Sequence, residues 1–203
     1  MNEAAIEALD WEKGGGLLPA VIQDADTGTV LMVGYQDRAA LRATLERRRV
    51  VFFSRSRQEL WEKGETSGNH LHLVAVTADC DSDALLIRAR PAGPTCHTNN
   101  KACFADSEPP LAMLAELERT VTERAAERGP SGSYTAKMLA AGVERIAKKV
   151  GEEGVETALA GVVGDDDALA GEAADLLYHL VLLLQSRGMR LADVAGTLAA
   201  RRR

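Results

Sequence analysis

The sequence lacks the marks of a secreted, membrane-spanning or nucleic-acid-binding protein. Its first residues, MNEAAIEALDWEKGGG, have neither the basic nor the apolar segment of a secretory signal, so we expect a cytoplasmic protein. Apolar runs such as Leu180–Leu184 are far shorter than the roughly 18 residues that a membrane span needs. The net charge of −6, from 24 Lys and Arg against 30 Asp and Glu, argues against binding to nucleic acid or to anionic lipid.

Cysteine is also scarce. The chain has three, Cys80, Cys96 and Cys103, and an odd number without a secretory signal is a poor set for disulfides. Three thiolates do suit zinc, which takes four ligands and would keep its fourth position open for water.

Aromatic residues make up only 4% of the chain, and both tryptophans and all three phenylalanines precede residue 108. The composition is globular, and 203 residues suffice for two domains of about 100 each. The second half is rich in Ala, Leu and Glu, and Pro109-Pro110 marks the break. We therefore predict a multidomain protein with domains at 1–107 and 108–203.

The first half has the pattern of a mixed α and β domain. Two strands within 17–36 are predicted to meet at the turn Asp26–Gly28, and a helix follows with Asp37 as its N-cap. The stretch VVFFSRS is typical of a strand. A single long strand is predicted over 71–89, bulged or turned near Asp81–Asp83.

The second half has helical periodicity throughout. Helices are predicted over 111–128, 134–163, 165–186 and 191–202, with a loop at 129–133. Glycines at 142, 151 and 154 argue against a straight second helix. The pattern predicts a four-helix bundle of the up-down type.

The cysteine pattern is compatible with a catalytic zinc site. Cys96 and Cys103 lie in a Gly- and Pro-rich loop, and Cys80 lies at the end of a predicted strand. Zinc lowers the pKa of bound water to about 7, and His97, beside a ligand, is a candidate to carry the proton. Two alternatives stay open from spacing alone: three buried thiols, or a closed structural site with His97 as the fourth ligand.

Carboxylates surround the first of these cysteines. In the sequence DCDSD, strand alternation would place Asp79, Asp81 and Asp83 on one face and Cys80 on the other. Clustered carboxylates repel one another unless a cation such as Mg²⁺ lies among them. A solvated acidic turn is the alternative.

The segment SRSRQELWEKGETSGN has the residues of a nucleotide-binding loop. Its cations suit phosphates, its glycines and hydroxyl residues suit a tight anion-binding turn, and its tryptophan suits stacking on a base. Ordinary solvated arginines and a core tryptophan are the alternatives. The substrate-binding candidates are Arg55, Arg57, Trp61, Lys63, Gly64, Glu65, Thr66, Ser67 and Gly68.

Residues 17–104 resemble phosphoribosyl-AMP cyclohydrolase, an enzyme of histidine biosynthesis. The matching stretches are FFSRSRQELWEKGETSGN, DCDSDALL and GPTCHTNNKACF. The resemblance implies zinc on Cys80, Cys96 and Cys103, and Mg²⁺ on the three aspartates. It also implies a homodimer whose zinc sites take cysteines from both subunits. Asn99 replaces the family's usual glycine, and we expect it to keep the loop because asparagine tolerates left-handed backbone.

A second carboxylate pattern lies in the helical half. Glu152-Glu153-x-x-Glu156 and Glu172-x-x-Asp175 each place two carboxylates on one helix face, and antiparallel neighbours would bring both pairs together. Mg²⁺ would neutralise such a cluster and hold a polyphosphate. Two ordinary acidic helix faces are the alternative. Candidate phosphate-binding residues nearby are Tyr134, Lys137, Lys148 and Lys149.

Residues 111–203 resemble phosphoribosyl-ATP pyrophosphatase, through SYTAKMLAAGVERIAKKVGEEGVETALA and GDDDALAGEAADLLYHLVLLL. The resemblance implies that Glu152 supports the metal ligands or orients the attacking water. Gly154-Val155 replaces the family's more usual Ala-Thr. The implied Mg²⁺ ligands are Glu153, Glu156, Glu172 and Asp175.

Both resemblances predict a bifunctional, nucleotide-binding hydrolase of histidine biosynthesis. The expected fold is an N-terminal α+β cyclohydrolase domain followed by an all-α, nucleotide pyrophosphatase-like bundle. The second domain would convert phosphoribosyl-ATP to phosphoribosyl-AMP, whose adenine ring the first would open. One alternative is a nucleotide pyrophosphatase with an inactive zinc-binding N-terminal domain, and another is a non-catalytic assembly module held together by zinc.

Overall fold

The computed structural model describes residues 1–126 and 133–202, which divide into the units Met1–Ala112 and Met113–Arg203. Most of the loop predicted at 129–133 lies outside the described residues, as does the final Arg203. Among the described residues, no helix is long and apolar enough to cross a membrane.

The first unit combines helices and strands, as predicted. Its described elements, in chain order, are α1 (Glu3–Glu7), β1 (Leu18–Asp24), β2 (Val30–Gln36), α2 (Arg38–Arg47), β3 (Val51–Ser54), β4 (Glu59–Glu62), β5 (Leu71–Ala78) and β6 (Leu85–Pro91). Four strands form a sheet in the order β2-β1-β6-β5, and β3 pairs with β4 in a separate hairpin. Only the β1–β6 pair among these is parallel.

Alternation along the central strands builds the core of this unit. Ala20 and Ile22 of β1 are fully buried, and their register partners Leu85 and Ile87 of β6 are buried beside them. One face of the sheet therefore packs inward, as period-two alternation requires. Trp11 closes this core and donates its indole N–H to the Ile6 carbonyl at 2.8 Å.

A buried polar contact attaches α2 to the strands. Gln36 is fully buried, and its Nε2 donates to Thr44 Oγ1 at 2.8 Å and to the Val51 carbonyl at 2.6 Å. The predicted N-cap is confirmed, because the Asp37 carboxylate accepts from the Ala40 N–H at 2.7 Å.

The long strand over 71–89 was predicted to be bulged or turned near Asp81–Asp83, and the structure has a turn there. A turn between Ala78 and Leu85 divides it into the antiparallel pair β5 and β6. Asp79 stabilises this turn by accepting the N–H groups of Asp83 and Ala84 at 3.0 and 3.1 Å. The three aspartates therefore lie on a turn, and the argument that placed them on one strand face is incorrect.

The second unit is helical, as predicted. Its described elements are α3 (Ala112–Ala126), α4 (Tyr134–Ala141), α5 (Val143–Val163), α6 (Asp166–Ser186) and α7 (Leu191–Arg201). The helix predicted over 134–163 is broken at Gly142, whose φ of +90° lies outside the right-handed helical region. There are thus five described helices in place of the predicted four.

The helices α5 and α6 form an antiparallel hairpin. A Cβ on Gly161 would lie 3.7 Å from Leu169, and a Cβ on Gly154 would lie 4.0 Å from Leu176. The glycine nearer the end of α5 lies beside the leucine nearer the start of α6, so the two helices run in opposite directions. Together with α3 and α4 they enclose one hydrophobic core, whose buried residues are Val121, Met138, Ile146, Val181 and Leu182.

Candidate active sites

The loop that carries Cys96 and Cys103 is fixed by backbone hydrogen bonds. Cys103 donates its N–H to the Leu31 carbonyl of β2 at 2.7 Å, and Asn99 donates its N–H to the Cys96 carbonyl at 3.0 Å. Asn99 has a φ of +66°, in the left-handed region. The expectation that asparagine would hold this conformation is therefore confirmed.

The thiols of Cys96 and Cys103 interact with each other, and their pKa values shift in opposite directions. The Thr98 hydroxyl donates to Cys96 Sγ at 3.0 Å and lowers the pKa of that thiol. Desolvation and the neighbouring Cys96 raise the pKa of Cys103, while the ammonium of Lys63 acts in the opposite direction. His97 Nδ1 lies 3.8 Å from Cys96 Sγ, on the same exposed loop. The pair offers two adjacent sulfur ligands.

Cys80 does not join this pair within one chain. It is exposed on the turn between β5 and β6. Within the described residues, the three sulfur atoms are not a group whose members lie within 4.8 Å of one another. A site with all three ligands therefore requires another source for the third sulfur.

The aspartates around Cys80 do form a group. One carboxylate oxygen from each of Asp79, Asp81 and Asp83 lies within 4.8 Å of the other two. Lys13 reaches into this group, with its Nζ 2.6 Å from Asp81 Oδ2 and in contact with Asp83. The lysine hydrogen bond lowers the pKa of Asp81, and the two aspartates raise the pKa of Lys13.

A cleft of about 520 Å³ adjoins Cys96 and Cys103. Lys63 is nine-tenths buried in its wall, and its backbone N–H donates to the Val50 carbonyl at 3.0 Å. At Gly64, a Cβ would meet backbone atoms of Asn69 and His70 at 2.4–2.5 Å, so the loop needs glycine there. The predicted residues that line the cleft are Trp61, Lys63, Gly64, Glu65, Thr66, Ser67, Cys96, His97 and Cys103.

Two predicted phosphate ligands lie in the turn between β3 and β4. The Arg55 guanidinium stacks over the Tyr35 ring at 3.9 Å, and Arg57 pairs with Glu59 at 3.2 Å. Neither is part of the cleft wall, and neither is Gly68.

Sequence reasoning missed other parts of the cleft wall. Thr95 is 2% exposed, and its hydroxyl has no hydrogen-bond partner among the described residues. Asn69 lies against Gly93, where a Cβ would approach its Oδ1 to 2.4 Å. Adjacency to Cys96 was the one available signal for Thr95. Asn69 ends a motif that the sequence analysis had singled out for its cations, glycines, hydroxyl residues and tryptophan.

In the second unit, α5 and α6 bring three predicted carboxylates together. Oxygens of Glu153, Glu156 and Glu172 lie within 4.8 Å of one another. Desolvation and the charges of Glu153 and Glu172 raise the pKa of Glu156. The pKa of Glu153 is lowered instead, chiefly by Lys149, whose Nζ lies 2.8 Å from Glu153 Oε1. A cation between these oxygens would relieve the repulsion.

The remaining predicted residues are not members of this group. Asp175 is exposed on α6, and its carboxylate is not within 4.8 Å of all three glutamates. Glu152 pairs with Lys148 at 3.4 Å and with Lys149 at 3.1 Å. Lys137 lies exposed on α4.

Sequence reasoning missed His179. It is 5% exposed, with Nδ1 2.9 Å from the Asp175 carbonyl oxygen and Nε2 3.3 Å from the Tyr134 hydroxyl. Its spacing of four residues from Asp175 was the available signal, because that spacing places both on one helix face.

Comparisons with known proteins agree with the division of the chain into two units. The model of the phosphoribosyl-AMP cyclohydrolase family matches residues 32–105, and that of phosphoribosyl-ATP pyrophosphohydrolase matches residues 114–202. The histidine biosynthesis bifunctional protein HisIE of Xanthomonas axonopodis pv. citri is 56% identical, over 98% of both chains. The protein of the same name from Escherichia coli K12 is 50% identical, over 99% of this chain and 98% of its own.

Proposed function

Because this chain belongs to the family of bifunctional histidine-biosynthesis enzymes that join a phosphoribosyl-AMP cyclohydrolase to a phosphoribosyl-ATP pyrophosphohydrolase, we propose which residues perform each reaction and with which metals. It is a bifunctional hydrolase whose substrates are phosphoribosyl nucleotides. The match over both units favours this function over a pyrophosphatase with an inactive first domain. We place the domains at 1–107 and 108–203 and the protein in the cytoplasm.

The zinc site of the cyclohydrolase unit is shared between two copies of the chain. Cys96 and Cys103 supply two adjacent sulfurs, and Cys80 of the other copy supplies the third. The observation that carries this proposal is the separation of Cys80 from the pair within one chain. Bound there, zinc would supply an activated water for the hydrolytic opening of the purine ring between N1 and C6.

The cleft beside the cysteines holds phosphoribosyl-AMP. Trp61 packs against Phe52 with ring centroids 5.6 Å apart, which fixes its ring for stacking on the base. Lys63 places a positive charge beside the reacting carbon, and Glu65, Thr66 and Ser67 offer polar contacts to the sugar and phosphate. His97 is exposed at the cleft and moves the proton between water and the leaving ring nitrogen. Arg55, Arg57 and Gly68 act at the outer edge of the bound nucleotide.

Both carboxylate groups would hold Mg²⁺. Asp79, Asp81 and Asp83 would bind it in the first unit. In the second unit the ligands would be Glu153, Glu156, Glu172 and Asp175. Their hard oxygen atoms match the ion's preference.

The second unit releases pyrophosphate from phosphoribosyl-ATP. Hydrolysis between the α and β phosphates needs clamping and positioning more than a covalent nucleophile. Glu152 orients the attacking water, Lys148 and Lys149 meet phosphate oxygens, and Tyr134 and Lys137 bind the substrate from α4. Lys149 is well placed because it already contacts Glu153 at the edge of the metal group.

Exposed apolar surface supports a homodimer. On α5, Val155, Leu159 and Val162 follow the spacing of one helix face and are 60%, 57% and 82% exposed. On the sheet, Val33 and Leu86 are exposed on either side of Val21, their common register partner. Association through such faces would bury them and bring a second Cys80 to the cysteine pair.

Mixing two inactive variants tests the shared zinc site. Cys80→Ser and Cys96→Ser should each abolish ring opening. Unfolded and refolded together, they should form heterodimers in which one of the two sites has all three cysteines. Random pairing then restores about a quarter of the wild-type rate and of the bound zinc. A mixture as inactive as its components would place all three ligands in one chain and overturn the proposal.

Separate assays assign the two reactions to the two units. With phosphoribosyl-ATP and Mg²⁺, wild-type protein should release pyrophosphate and then open the ring. Glu156→Gln should stop the first reaction but still open the ring of added phosphoribosyl-AMP. Cys96→Ser should do the reverse. Loss of both reactions from either variant would contradict independent sites.

A further inference from the structure

Asn69 lies between two glycines in the wall of the cleft beside the cysteines. A Cβ on Gly64 would meet the backbone carbonyl carbon and oxygen of Asn69 at 2.4 and 2.5 Å, and a Cβ on Gly93 would meet its Oδ1 at 2.4 Å. Contacts this close exist only because neither neighbour has a side chain. The backbone and the side chain of Asn69 are therefore each packed against a glycine, which confines the amide to one place in the wall.

The confined amide makes no hydrogen bond within the protein. The backbone N–H of Asn69 donates to Ser67 Oγ at 3.3 Å. Across residues 1–126 and 133–202, however, no group forms a hydrogen bond with its side chain. Polar side chains that serve the fold from a buried or half-buried position nearly always have a partner. A closely packed amide without one, in the wall of a cleft, indicates that its partner is a ligand.

The chemistry of ring opening leaves few polar atoms of the base for recognition. In phosphoribosyl-AMP, N1 and N9 of the purine each carry a ribose, and C6 is the atom that water attacks. The polar atoms that remain on the base are N3, N7 and the amino group on C6. N7 and the amino group are neighbours on one edge, where they present an acceptor beside a donor.

The carboxamide of Asn69 is complementary to that edge. Nδ2 can donate to N7 while Oδ1 accepts from the amino group on C6, which is how asparagine recognises adenine in protein–DNA complexes. The contact of Oδ1 with Gly93 is not a hydrogen bond, so it leaves the lone pairs of the oxygen available. A phosphate offers only acceptors and would leave Oδ1 unused. Trp61 lines the same cleft for stacking on the face of the base, so Asn69 is suited to its edge.

We propose that Asn69 is a specificity-determining residue of the ring-opening site, which binds the purine through N7 and the amino group on C6. The inference rests on the proposed function of the first unit and names the part of the substrate that this wall recognises. Gly93 is a positioning residue, because its missing side chain leaves the space that the amide occupies. Bound in this way, the purine keeps its N1–C6 bond free of Asn69.

Nucleotide binding to the full-length protein tests the proposal without turnover. The probes are AMP, which carries the same base, and 7-deaza-AMP, in which a C–H group replaces N7. Quenching of tryptophan fluorescence reports on the first unit, which holds both tryptophans. Wild-type protein should bind 7-deaza-AMP about 3- to 10-fold more weakly than AMP, the value of one hydrogen bond.

Asn69→Ala should bind AMP about 5- to 150-fold more weakly than wild type does, the value of a bidentate contact to adenine. It should also no longer distinguish AMP from 7-deaza-AMP. Equal weakening of both probes, with the preference for AMP retained, would mean that Asn69 contacts the sugar or the phosphate. That result, or the absence of any preference in wild-type protein, would overturn the proposal.

Substitution of Gly93 separates a base contact from a merely structural role. Gly93→Ala puts a methyl group where Oδ1 lies, and the amide, as the end of a flexible side chain, can move aside without unfolding the chain. This variant should lose the preference for AMP as Asn69→Ala does. The double variant should bind AMP no more weakly than Asn69→Ala, because the two residues act as one unit. Additive losses would overturn the proposal.

Steady-state kinetics of ring opening complete the test. Asn69→Ala should raise KM for phosphoribosyl-AMP by about the factor found for AMP binding and keep the zinc content of wild type. Asn2→Ala is the matched control, because it removes an asparagine side chain of the same unit that is not part of the cleft wall. An equal rise of KM in this control would overturn the proposal. Wild-type protein that prefers AMP as expected but opens no ring would refute the proposed function alone.

Discussion

The ammonium of Lys13 lies 2.6 Å from a carboxylate oxygen of Asp81, within the group assigned to Mg²⁺. It also contacts Asp83, so the protein itself supplies a cation that neutralises part of the group. We expect a metal ion at these aspartates to displace that ammonium, so that Lys13 would compete with the metal.

The first prediction concerns this competition. Lys13→Gln removes the positive charge and should lower the Mg²⁺ concentration that half-saturates ring opening, by several-fold. Lys13→Arg keeps the charge and should behave as wild type. The measurement is a titration of ring opening with Mg²⁺, supported by Mn²⁺ binding followed by electron paramagnetic resonance. An unchanged affinity in the glutamine variant would mean that Lys13 does not compete.

The second prediction concerns pH and the raised pKa of Glu156. A carboxyl group with a raised folded-state pKa binds more protons when folded, so its stabilising contribution is lost as pH rises through that pKa. Without metal, Glu156→Gln should therefore make the helical unit more stable than wild type at neutral pH. Below about pH 4.5, the ordinary glutamate value, the difference should vanish.

Thermal unfolding followed by circular dichroism checks this prediction. Added Mg²⁺ should raise the unfolding midpoint of wild type and have little effect on Glu156→Gln, because a ligand stabilises only the state that binds it. If the variant were less stable than wild type at neutral pH without metal, the carboxylates would not repel one another as inferred.

The third prediction concerns Gly154, which lies between Glu153 and Glu156 on α5. A Cβ there meets only Leu176, at an ordinary 4.0 Å, so alanine fits. Gly154→Ala should stabilise the helical unit by about 0.5–1 kcal/mol, because glycine disfavours the helix interior. Gly142→Ala is the contrasting variant and should destabilise it, because φ at that position is +90°. Urea unfolding measures both.

The fourth prediction concerns the left-handed residue of the cysteine loop. Asn99→Gly should keep zinc and ring opening, because glycine adopts a φ of +66° freely. Asn99→Val should lose both, since a β-branched residue is disfavoured there. Zinc content by atomic absorption and the rate of ring opening are the measurements. Full activity of the valine variant would show that the loop does not depend on this conformation.

Local signals made much of the fold predictable. Asp37 caps α2 as its sequence position indicated, because capping needs only the next few residues. Asp165, predicted to begin a helix, is the N-cap of α6. The five-residue α1 was not predicted, although Asn2 caps it by accepting from the Ala5 N–H at 3.0 Å. It depends on distant partners, with Ile6 buried in the core and Glu3 paired with Arg42 at 2.8 Å.

The candidate site residues likewise fall into those predictable from local spacing and those that depend on contacts distant in sequence. Glu153 and Glu156 share a helix face by spacing alone, so their proximity was predictable. Lys13 was not, because it reaches Asp81 across 68 positions of sequence. The sequence indicated a bulge or a turn near Asp81–Asp83 but not which of the two, since aspartates interrupt the apolar alternation of a strand in much the same way whether the chain continues or reverses.

The parallel pairing of β1 with β6 has a consequence for how the chain folds. Ala20 meets Leu85 only after the intervening segment has been made and its ends brought together. The hairpin of α5 and α6, by contrast, closes over a two-residue connection. Because non-local pairings form slowly, the N-terminal unit, although synthesised first, should be the slower of the two to reach its native state. A nascent chain shorter than about 90 residues would expose β1 without its central partner, which makes that stage the point of greatest exposure to aggregation.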